Sequence, residues 1–311
     1  MPGVVVRPIT GADELDLFCR LPYVLNHQLA ADLEGGRRQP SWMWVCMRGE
    51  HLLARAAWWA RDGDDSPACL DIFDVDDRAE GMDRIRVGAD FLRAAMGAVM
   101  PEGPKPLYIR FTTPDWRADV VERRAVDDRM AALKVVGAQF LVERLRLEWR
   151  PGTPIMATSG RLTFRPVSDR DELVGLMAKV LEGTLDAHSR ADLARMSAAE
   201  TAAAQYDEEL KGYSSPRSWW AVALADDGQR VGFVIPARNP YGPIIAYVGV
   251  LPAHRGHGYI DDLLAEGTRI LAADGTPRIR ASTDVGNGPM RQAFQRAGYV
   301  EYEREVDMTW R

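Results

Sequence analysis

The sequence predicts a mixed α/β fold built as two tandem domains, and two observations lead to this prediction. First, residues 6–10 (VRPIT) followed by 13–15 (DEL) return as residues 164–168 (FRPVS) followed by 171–173 (DEL), 158 positions later. Second, an apolar strand in the C-terminal half runs into a glycine-rich loop and then a helix. A repeat of this length indicates duplicated domains and not a solenoid.

The ends of the two halves also match. Residues 137–150 run parallel to residues 298–311, so each half closes on a glycine and an alternating strand. Residues 151–160 are rich in Pro, Gly and Ser and are predicted to form a linker. We therefore expect domains at residues 1–150 and 161–311.

The composition is that of a soluble globular protein, with 46% hydrophobic and 27% charged residues. A net charge of −6 argues against a nucleic-acid-binding surface. The chain shows neither a signal-peptide pattern nor a run of 18 apolar residues. Cys19, Cys46 and Cys69 form no C-x-x-C pair, which favours buried thiols over disulfides or a zinc site. We expect a cytoplasmic protein with no membrane or nucleic-acid partner.

In the first half, a strand at 68–75 is expected to lead into a helix at 86–99. Asp76, Asp77 and Glu80 stand between them, with a single glycine. The helix dipole is positive at the start of a helix and attracts anions, but several carboxylates at the same place outweigh it and repel them. This half is therefore predicted to keep the fold without binding the cofactor phosphate. The alternative is that the equivalent loop lies several residues away from 76–81.

The second half is predicted to begin with a strand and helices at 171–182 and 197–211, separated by an irregular polar segment at 183–192. Its later elements are a hairpin around residues 226–228, a strand at 244–250, a helix from about residue 260, a strand at 279–284, a helix at 290–296 and a closing strand. Alternation in the strand at 244–250 places Ile244, Ala246, Val248 and Val250 on one face. Tyr247 falls on the other face and is expected to be packed.

The loop after this strand has the features of an anion site. Residues 255–260 read RGHGYI and directly precede the helix. Amides of a first helical turn lack partners within the helix, and Gly256 and Gly258 allow a close approach of the backbone to a phosphate. Arg255 adds a cation, although a solvated loop arginine is the alternative interpretation. The pattern favours pyrophosphate binding.

These residues resemble the GNAT N-acetyltransferases, whose acetyl-CoA loop follows Arg/Gln-x-x-Gly-x-Gly/Ala after a strand ending Val-x-Pro. Here residues 250–252 (VLP) precede the loop, and Ile260 stands where the family has Gly or Ala. A second match lies in residues 287–290 (NGPM) and 293–299 (AFQRAGY). The tandem layout is similar to that of the mycothiol-synthase type.

The resemblance implies two GNAT-like domains. Each has a mixed, mostly antiparallel sheet flanked by helices, with a splayed parallel pair of strands at the CoA site. The first domain is degenerate and lacks the CoA loop, and the second binds acetyl-CoA as co-substrate without a metal. The residues implied to bind the cofactor are Val248, Gly249, Val250, Arg255, Gly256, His257, Gly258, Tyr259, Ile260 and Asn287.

The catalytic base is left open by the sequence, because Ile244 and Phe294 occupy the positions of the glutamate and tyrosine of many relatives. By resemblance, the segment holding Asp186 and His188 walls the acceptor pocket, although a solvated loop is an equal alternative. Tyr241 is expected at the pocket mouth. We place His188 first because a free histidine titrates near neutrality. The catalytic candidates are His188, Asp186 and Tyr241, with His254 and the terminal carboxylate of Arg311 behind them.

The leading hypothesis is an acetyl-CoA-dependent N-acetyltransferase that acts on a primary amine of a small molecule or peptide. Acetyl transfer by direct attack needs no enzyme nucleophile, so none of the cysteines is required. The alternative is a CoA-binding pseudoenzyme that acts as a sensor or assembly subunit. A third hypothesis is an enzyme that uses another acyl-CoA. A homodimer is compatible with any of these hypotheses.

Overall fold

The structure is a computed structural model that describes residues 3–79 and 81–310. The chain divides into two compact units, residues 1–142 with 305–311 and residues 143–304. Both boundaries fall inside strands, and the predicted linker at 151–160 lies within the second unit. The reason is that two strands, Gln139–Trp149 and Val300–Thr309, each contribute residues to both units.

The first unit is a mixed sheet with helices. Its strands lie in the order β1-β2-β3-β4-β5, followed by the end of the strand Val300–Thr309. The pairs β1–β2, β2–β3 and β3–β4 are antiparallel, and β4 pairs with β5 in parallel. Its elements are β1 (Val4–Pro8), α1 (Leu15–Phe18), α2 (Leu29–Glu34), β2 (Met43–Arg48), β3 (His51–Trp59), β4 (Cys69–Val75), α3 (Arg84–Val99), β5 (Leu107–Thr112) and α4 (Val120–Val135).

The second unit repeats this plan, with strands in the order β6-β11-β10-β9-β8-β7. Its elements are β6 (Gln139–Trp149), β7 (Thr163–Pro166), α5 (Arg170–Val180), α6 (Ala187–Leu193), α7 (Ala198–Glu208), β8 (Ala221–Leu224), β9 (Arg230–Asn239), β10 (Gly242–Val250), α8 (Tyr259–Ala273), β11 (Ile279–Asp284), α9 (Gly288–Arg296) and β12 (Val300–Thr309). β10 and β11 pair in parallel, whereas β6–β11, β10–β9, β9–β8 and β8–β7 pair antiparallel. The predicted mixed, mostly antiparallel α/β fold is confirmed.

Helices cover both faces of the second unit's sheet. On one face Leu263 and Leu264 of α8 and Phe294 of α9 pack in a buried apolar cluster. On the other face Leu173 and Met177 of α5 form a second cluster with apolar residues of β8 and β9. Burial of such side chains is worth about 1.5–3 kcal/mol each, so the two clusters hold the sheet between its helices.

The predicted irregular segment at 183–192 was wrong, because residues Ala187–Leu193 form the helix α6. Asp186 begins this helix, and its side chain accepts a hydrogen bond from the Ser189 amide. The next helix, α7, starts with the predicted capping box between Ser197 and Glu200. It ends at Glu208, earlier than expected.

The predicted face alternation of β10 was also wrong. The register against β9 shifts between Ile245 and Tyr247, so Ala246 lies in a β-bulge. A bulge inserts one residue and thereby moves the following side chains to the opposite face from the one that simple alternation gives. Val248 therefore packs with the α8 cluster, whereas Ala246 and Tyr247 pack with the α5 cluster.

The three cysteines are free thiols. Cys69 is buried, and burial raises the pKa of the Cys46 thiol to about 11, so both stay protonated at neutral pH. Within the described ranges, every helix is too short or too polar to cross a membrane.

Candidate active site

A cleft opens between β10 and β11. The two parallel strands share the single register pair Ile244 with Arg280, near their N-terminal ends. Beyond this pair they separate, which leaves β10 without a ladder partner on that side. The predicted splayed pair of strands is therefore present, and its open end lies toward Val250 and Asp284.

The loop at the open end of the cleft presents unpaired backbone amides. Gly256 and Gly258 adopt φ of 82° and 77°, a left-handed conformation that glycine tolerates without steric cost. Gly258 is the N-cap of α8, and a Cβ at Gly256 would meet nothing within 4 Å. In the described part of the chain, no acceptor is found for the amides of residues 256–260. Such amides at a helix N-terminus form an anion-binding surface.

Arg255 does not stand free beside this loop. Its guanidinium donates to the carbonyl oxygens of Glu182 at 2.6 Å, Val180 at 2.7 Å and Val250 at 3.2 Å. Carbonyl groups at the end of a helix lack intrahelical partners, so the arginine caps the end of α5. The structure thus gives Arg255 a positioning contact that the sequence did not predict.

Arg161 is the cation that lies over the loop. It donates to the His257 carbonyl at 3.1 Å, and its guanidinium carbon lies 4.7 Å from the centre of the Tyr259 ring. Ser159 anchors this segment by donating its amide and hydroxyl to Asp262, each at 2.6 Å. The predicted linker therefore docks on the first turns of α8.

Two acidic side chains meet at the open end of the cleft. Asp284, at the end of β11, accepts a hydrogen bond from the Ala187 amide at 2.7 Å. Asp186 lies one residue before Ala187 and caps α6. Arg144 of β6 lies 3.3 Å from an oxygen of Asp284 and 3.9 Å from an oxygen of Asp186.

The pKa values of these two carboxyl groups move in opposite directions. Burial raises the pKa of Asp284, and the charge of Asp186 raises it further against the opposing effect of Arg144. Burial also acts on Asp186, but Arg144 and the Ser189 amide outweigh it, so the pKa of Asp186 is lowered. A pair of carboxyl groups with separated pKa values is typical of sites that move protons.

The other two predicted catalytic residues, His188 and Tyr241, differ in how close they lie to this pair. His188 lies in the first turn of α6, and its charge acts on both Asp186 and Asp284. Tyr241 lies in the turn before β10, where its carbonyl accepts a hydrogen bond from Arg280. Arg280 is four residues from Asp284 along β11, which is about 13 Å in a strand. The structure thus groups His188 with Asp186 and separates Tyr241 from them. The terminal carboxylate of Arg311 lies outside the described residues.

The remaining predicted cofactor residues line the cleft and the loop. Val248, Gly249 and Val250 form the end of β10, and a Cβ at Gly249 would lie 2.6 Å from a methyl carbon of Val180. Asn287 caps α9 by accepting from the Met290 amide at 3.3 Å. The other loop residues are His257, whose ring lies 6.0 Å from that of Tyr259, and Ile260, which packs at the edge of the α8 cluster. His254 lies in the short turn before the loop.

Ile244 and Phe294 have no proton to exchange, and Phe294 is buried against the ring of Tyr299 at 5.2 Å. Tyr247 stacks on Phe233 with the ring centroids 5.2 Å apart, which agrees with the expectation that it is packed. Burial and the nearby Asp186 raise the pKa of Tyr247, so its hydroxyl stays protonated.

The counterpart of the loop in the first unit is acidic. Asp83 caps α3 through the Arg86 amide at 3.0 Å, so a carboxylate already occupies that helix N-terminus. Asp77 binds both terminal nitrogens of Arg129, at 3.0 and 2.8 Å. Glu80, the third predicted carboxylate, lies outside the described residues. In the described ranges, no group of three or more His, Cys, Asp or Glu side chains has the arrangement of a metal site.

Comparison with known families identifies the second half. Residues 161–300 match the model of the acetyltransferase (GNAT) domain. This part of the chain is similar to a GNAT acetyltransferase domain. A search of curated proteins found no match.

Solved structures extend the likeness to nearly the whole chain. A GCN5-related N-acetyltransferase from Sphaerobacter thermophilus superposes with a TM-score of 0.60 at 16% identity, covering 99% of this chain and 95% of the other. A tandem GNAT protein from the clavulanic acid biosynthesis pathway gives a TM-score of 0.54 at 16% identity, with 98% of each chain covered. A GCN5-related N-acetyltransferase from Kribbella flavida gives 0.51 at 13% identity, with 93% and 96% covered. These likenesses show the fold, which is that of tandem GNAT proteins.

Sequence reasoning missed Asp284, Arg144 and Arg161. Asp284 ends a strand that was predicted with the right bounds, directly before the Asn287 motif. The alternation rule, applied to that strand, would have placed residues 280, 282 and 284 on one face. Arg161 carried no signal, because its position over the loop depends on the docking of Ser159 on Asp262.

Proposed function

We propose that the second unit transfers the acetyl group of acetyl-CoA directly to a primary amine of a small molecule or peptide. The proposal depends on one observation, which is that the loop with free amides and the open cleft of the sheet lie at the same place. The amides of residues 256–260 lie at the open end of the cleft between β10 and β11. A phosphate group held by the loop would have its attached chain beside the cleft.

The residues present fit the cofactor. Gly256 and Gly258 leave room for a pyrophosphate to approach the loop amides, and Arg161 adds a cation beside them. The backbone near Val248–Val250 would donate to the thioester carbonyl, because β10 has no ladder partner on the cleft side there.

The transfer requires a neutral amine. One proton of the ammonium group passes to a base, the nitrogen forms a bond to the acetyl carbon, and the carbon–sulfur bond breaks. The thiolate then takes the second proton that the nitrogen loses. A raised pKa makes Asp284 a better proton acceptor than Asp186, and His188 stands beside both. We propose Asp284 or His188 as the base, with Arg144 and Asp186 setting the charge around it.

Binding of acetyl-CoA can be tested at Gly258 with two matched substitutions. Gly258→Asn and Gly258→Asp place side chains of similar size on the same left-handed backbone, so they differ in charge. We expect calorimetric titration to show that Gly258→Asp binds acetyl-CoA about tenfold more weakly than Gly258→Asn, because a carboxylate repels the pyrophosphate. Equal affinity in wild type and Gly258→Asp would reject the loop as the site.

A CoA-binding pseudoenzyme is the second candidate, and the nonpolar residues at Ile244 and Phe294 favour it. The two functions separate on release of free thiol from acetyl-CoA in the presence of an amine panel. Turnover with any amine supports the transferase, and tight binding without turnover supports the pseudoenzyme.

A further inference from the structure

Arg280 is a partly buried cation that has no carboxylate partner among the described residues. It lies at the closed end of the cleft, where β10 and β11 share their one register pair. Its guanidinium donates to the Tyr241 carbonyl, and within the described ranges no carboxylate lies within ion-pair distance of it. Burial lowers the pKa of Arg280, and the charges of Arg278 and Arg146 lower it further against the opposing effect of Tyr302. An anion at this position would relieve that cost.

A second arginine shares the same face of the sheet. Arg146 of β6 lies opposite Ser282 in the register of β6 and β11, and Ser282 is two residues from Arg280. Alternate residues of a strand face the same side, so the three side chains form one row. The Tyr302 hydroxyl accepts hydrogen bonds from two nitrogens of Arg146, at 3.3 and 3.1 Å.

Ser282 supplies an independent observation. Its hydroxyl oxygen is buried and has no hydrogen-bond partner in the described part of the chain. A buried hydroxyl without a partner is uncommon and indicates a place where water or a ligand binds. It lies opposite Arg146 and two residues from Arg280, where β10 has begun to separate from β11.

The nearby carboxylates lie within ion-pair distance of other arginines. Glu148 lies opposite Arg280 in the register, but one of its oxygens accepts from Arg150 at 2.5 Å. The other oxygen lies 3.7 Å from Arg278 and has no hydrogen-bond partner in the described part of the chain. Glu303 lies 3.6 Å from Arg146. The row therefore keeps a positive charge at Arg280 together with hydroxyl groups that can donate to an anion.

We infer that the acceptor is an amine that also carries a carboxylate, and that Arg280, Arg146 and the Ser282 hydroxyl bind this carboxylate in the cleft. The inference rests on the proposed acetyl transfer and adds the substrate class. A guanidinium matches a carboxylate in shape and charge, and its hydrogen bonds to an anion are stronger than those to a neutral amide. The site thereby distinguishes amino acids from simple amines.

The test uses the full-length protein and a panel of α- and ω-amino acids, each paired with its primary amide. The rate of thiol release from acetyl-CoA gives kcat/KM for each member. We expect at least one acid to exceed its amide by about 10–100-fold. Arg280→Met removes this preference by lowering kcat/KM for the acid alone, and Arg280→Lys restores part of it. Arg278→Met is the matched control, because Arg278 lies directly before β11 and 3.7 Å from Glu148, and it leaves the preference unchanged.

A second readout is how much each amino acid, and its primary amide, stabilises the protein against unfolding in the presence of CoA. Two outcomes would overturn the carboxylate site while leaving the transferase proposal standing. In the first, each amide equals its acid in both kcat/KM and stabilisation. In the second, Arg280→Met lowers both quantities equally for the acid and for its amide. Acids that stabilise the wild type but not Arg280→Met, without any turnover, support the carboxylate site and reject the transferase. Absence of both turnover and preferential stabilisation rejects both. Unchanged affinity of each variant for acetyl-CoA shows that it is folded.

Discussion

Arg165 binds the Glu172 carboxylate through two hydrogen bonds of 2.9 and 2.5 Å. Glu172 also accepts from the Ser168 amide at 2.9 Å and is 9% exposed. Arg7 holds Glu14 in the same way, with distances of 2.8 and 2.6 Å. The repeat in the sequence is thus a repeated ion pair, which ties the first strand of each half to the helical turn that follows.

This ion pair predicts a pH-dependent stability. The hydrogen bonds from Arg165 lower the pKa of Glu172 from 4.5 to about 2. A carboxyl group with a lowered pKa stabilises the folded state above its unfolded pKa, and the contribution is lost as the pH falls toward the folded value. We expect Glu172→Gln to lower the free energy of unfolding by about 1.5–3 kcal/mol at neutral pH, and the loss to shrink between pH 4.5 and about pH 2.

Urea denaturation over this pH range measures the effect. Glu14→Gln is the matched variant, because the pKa of Glu14 is also lowered to about 2. It tests the same contact in the first unit. A loss for Glu172→Gln that stays constant down to pH 2 would show that the ion pair is not its source.

Much of the fold followed from the sequence, because its signals are local. The strand Ile279–Asp284 had the predicted bounds, and the capping box of Ser197 fixed the start of α7. The helix α6 was missed because the contact that orders its first residue comes from Asp284, 97 residues away. The bulge at Ala246 was missed because a bulge depends on the partner strand, which one sequence segment does not show.

The candidate site was predictable only where backbone conformation sets it. Gly256 and Gly258 mark the loop because the left-handed conformation favours glycine. The side-chain cluster of Arg144, Asp186 and Asp284 joins three elements that are distant in sequence. Their pairing depends on strand order, which composition and periodicity do not specify.

The second prediction concerns Arg255. Its hydrogen bonds indicate that it holds the loop in position and does not bind the cofactor phosphate through its charge. Three guanidinium nitrogens donate to carbonyl groups, and a lysine cannot reproduce this fork. We expect Arg255→Lys and Arg255→Met to weaken acetyl-CoA binding to a similar extent, by about tenfold, because both release the loop from the end of α5. Calorimetric titration measures the affinities. Full recovery by lysine would instead indicate that the charge alone matters. Arg161→Lys is the comparison, and there we expect lysine to retain most of the affinity because the cation lies over the loop.

The coupling of Asp186 to Asp284 predicts a shift in the pH–rate profile. The charge of Asp186 raises the pKa of Asp284, so Asp186→Asn should lower the pKa of Asp284 and move the acidic limb of the profile to lower pH.

We expect Asp284→Asn to lower kcat by about 100-fold or more if Asp284 is the base. The profile of kcat/KM against pH for both variants, with the responsive amine, checks this. If His188→Gln abolishes the acidic limb while Asp284→Asn keeps it, His188 is the base.

The last prediction concerns Asp74 and the buried ion network around it in the first unit. Asp74 is 1% exposed and lies within 3.2 Å of Arg55, Arg110 and Arg129. Burial acts against the charged form, but the three arginines outweigh it and lower the pKa of Asp74, so the carboxylate stays charged down to acidic pH.

Asp74→Asn keeps the size of the side chain and leaves three buried arginines without their shared carboxylate. We expect a loss of about 3–5 kcal/mol in the free energy of unfolding of the first unit, measured by urea denaturation. Asp77→Asn is the matched control, because Asp77 binds Arg129 but is 38% exposed, so water replaces the lost contact and the cost is about 0–1 kcal/mol. The contrast depends on burial, since both variants remove one negative charge from the same arginine. Equal losses in the two variants would contradict the central role of Asp74 in this network.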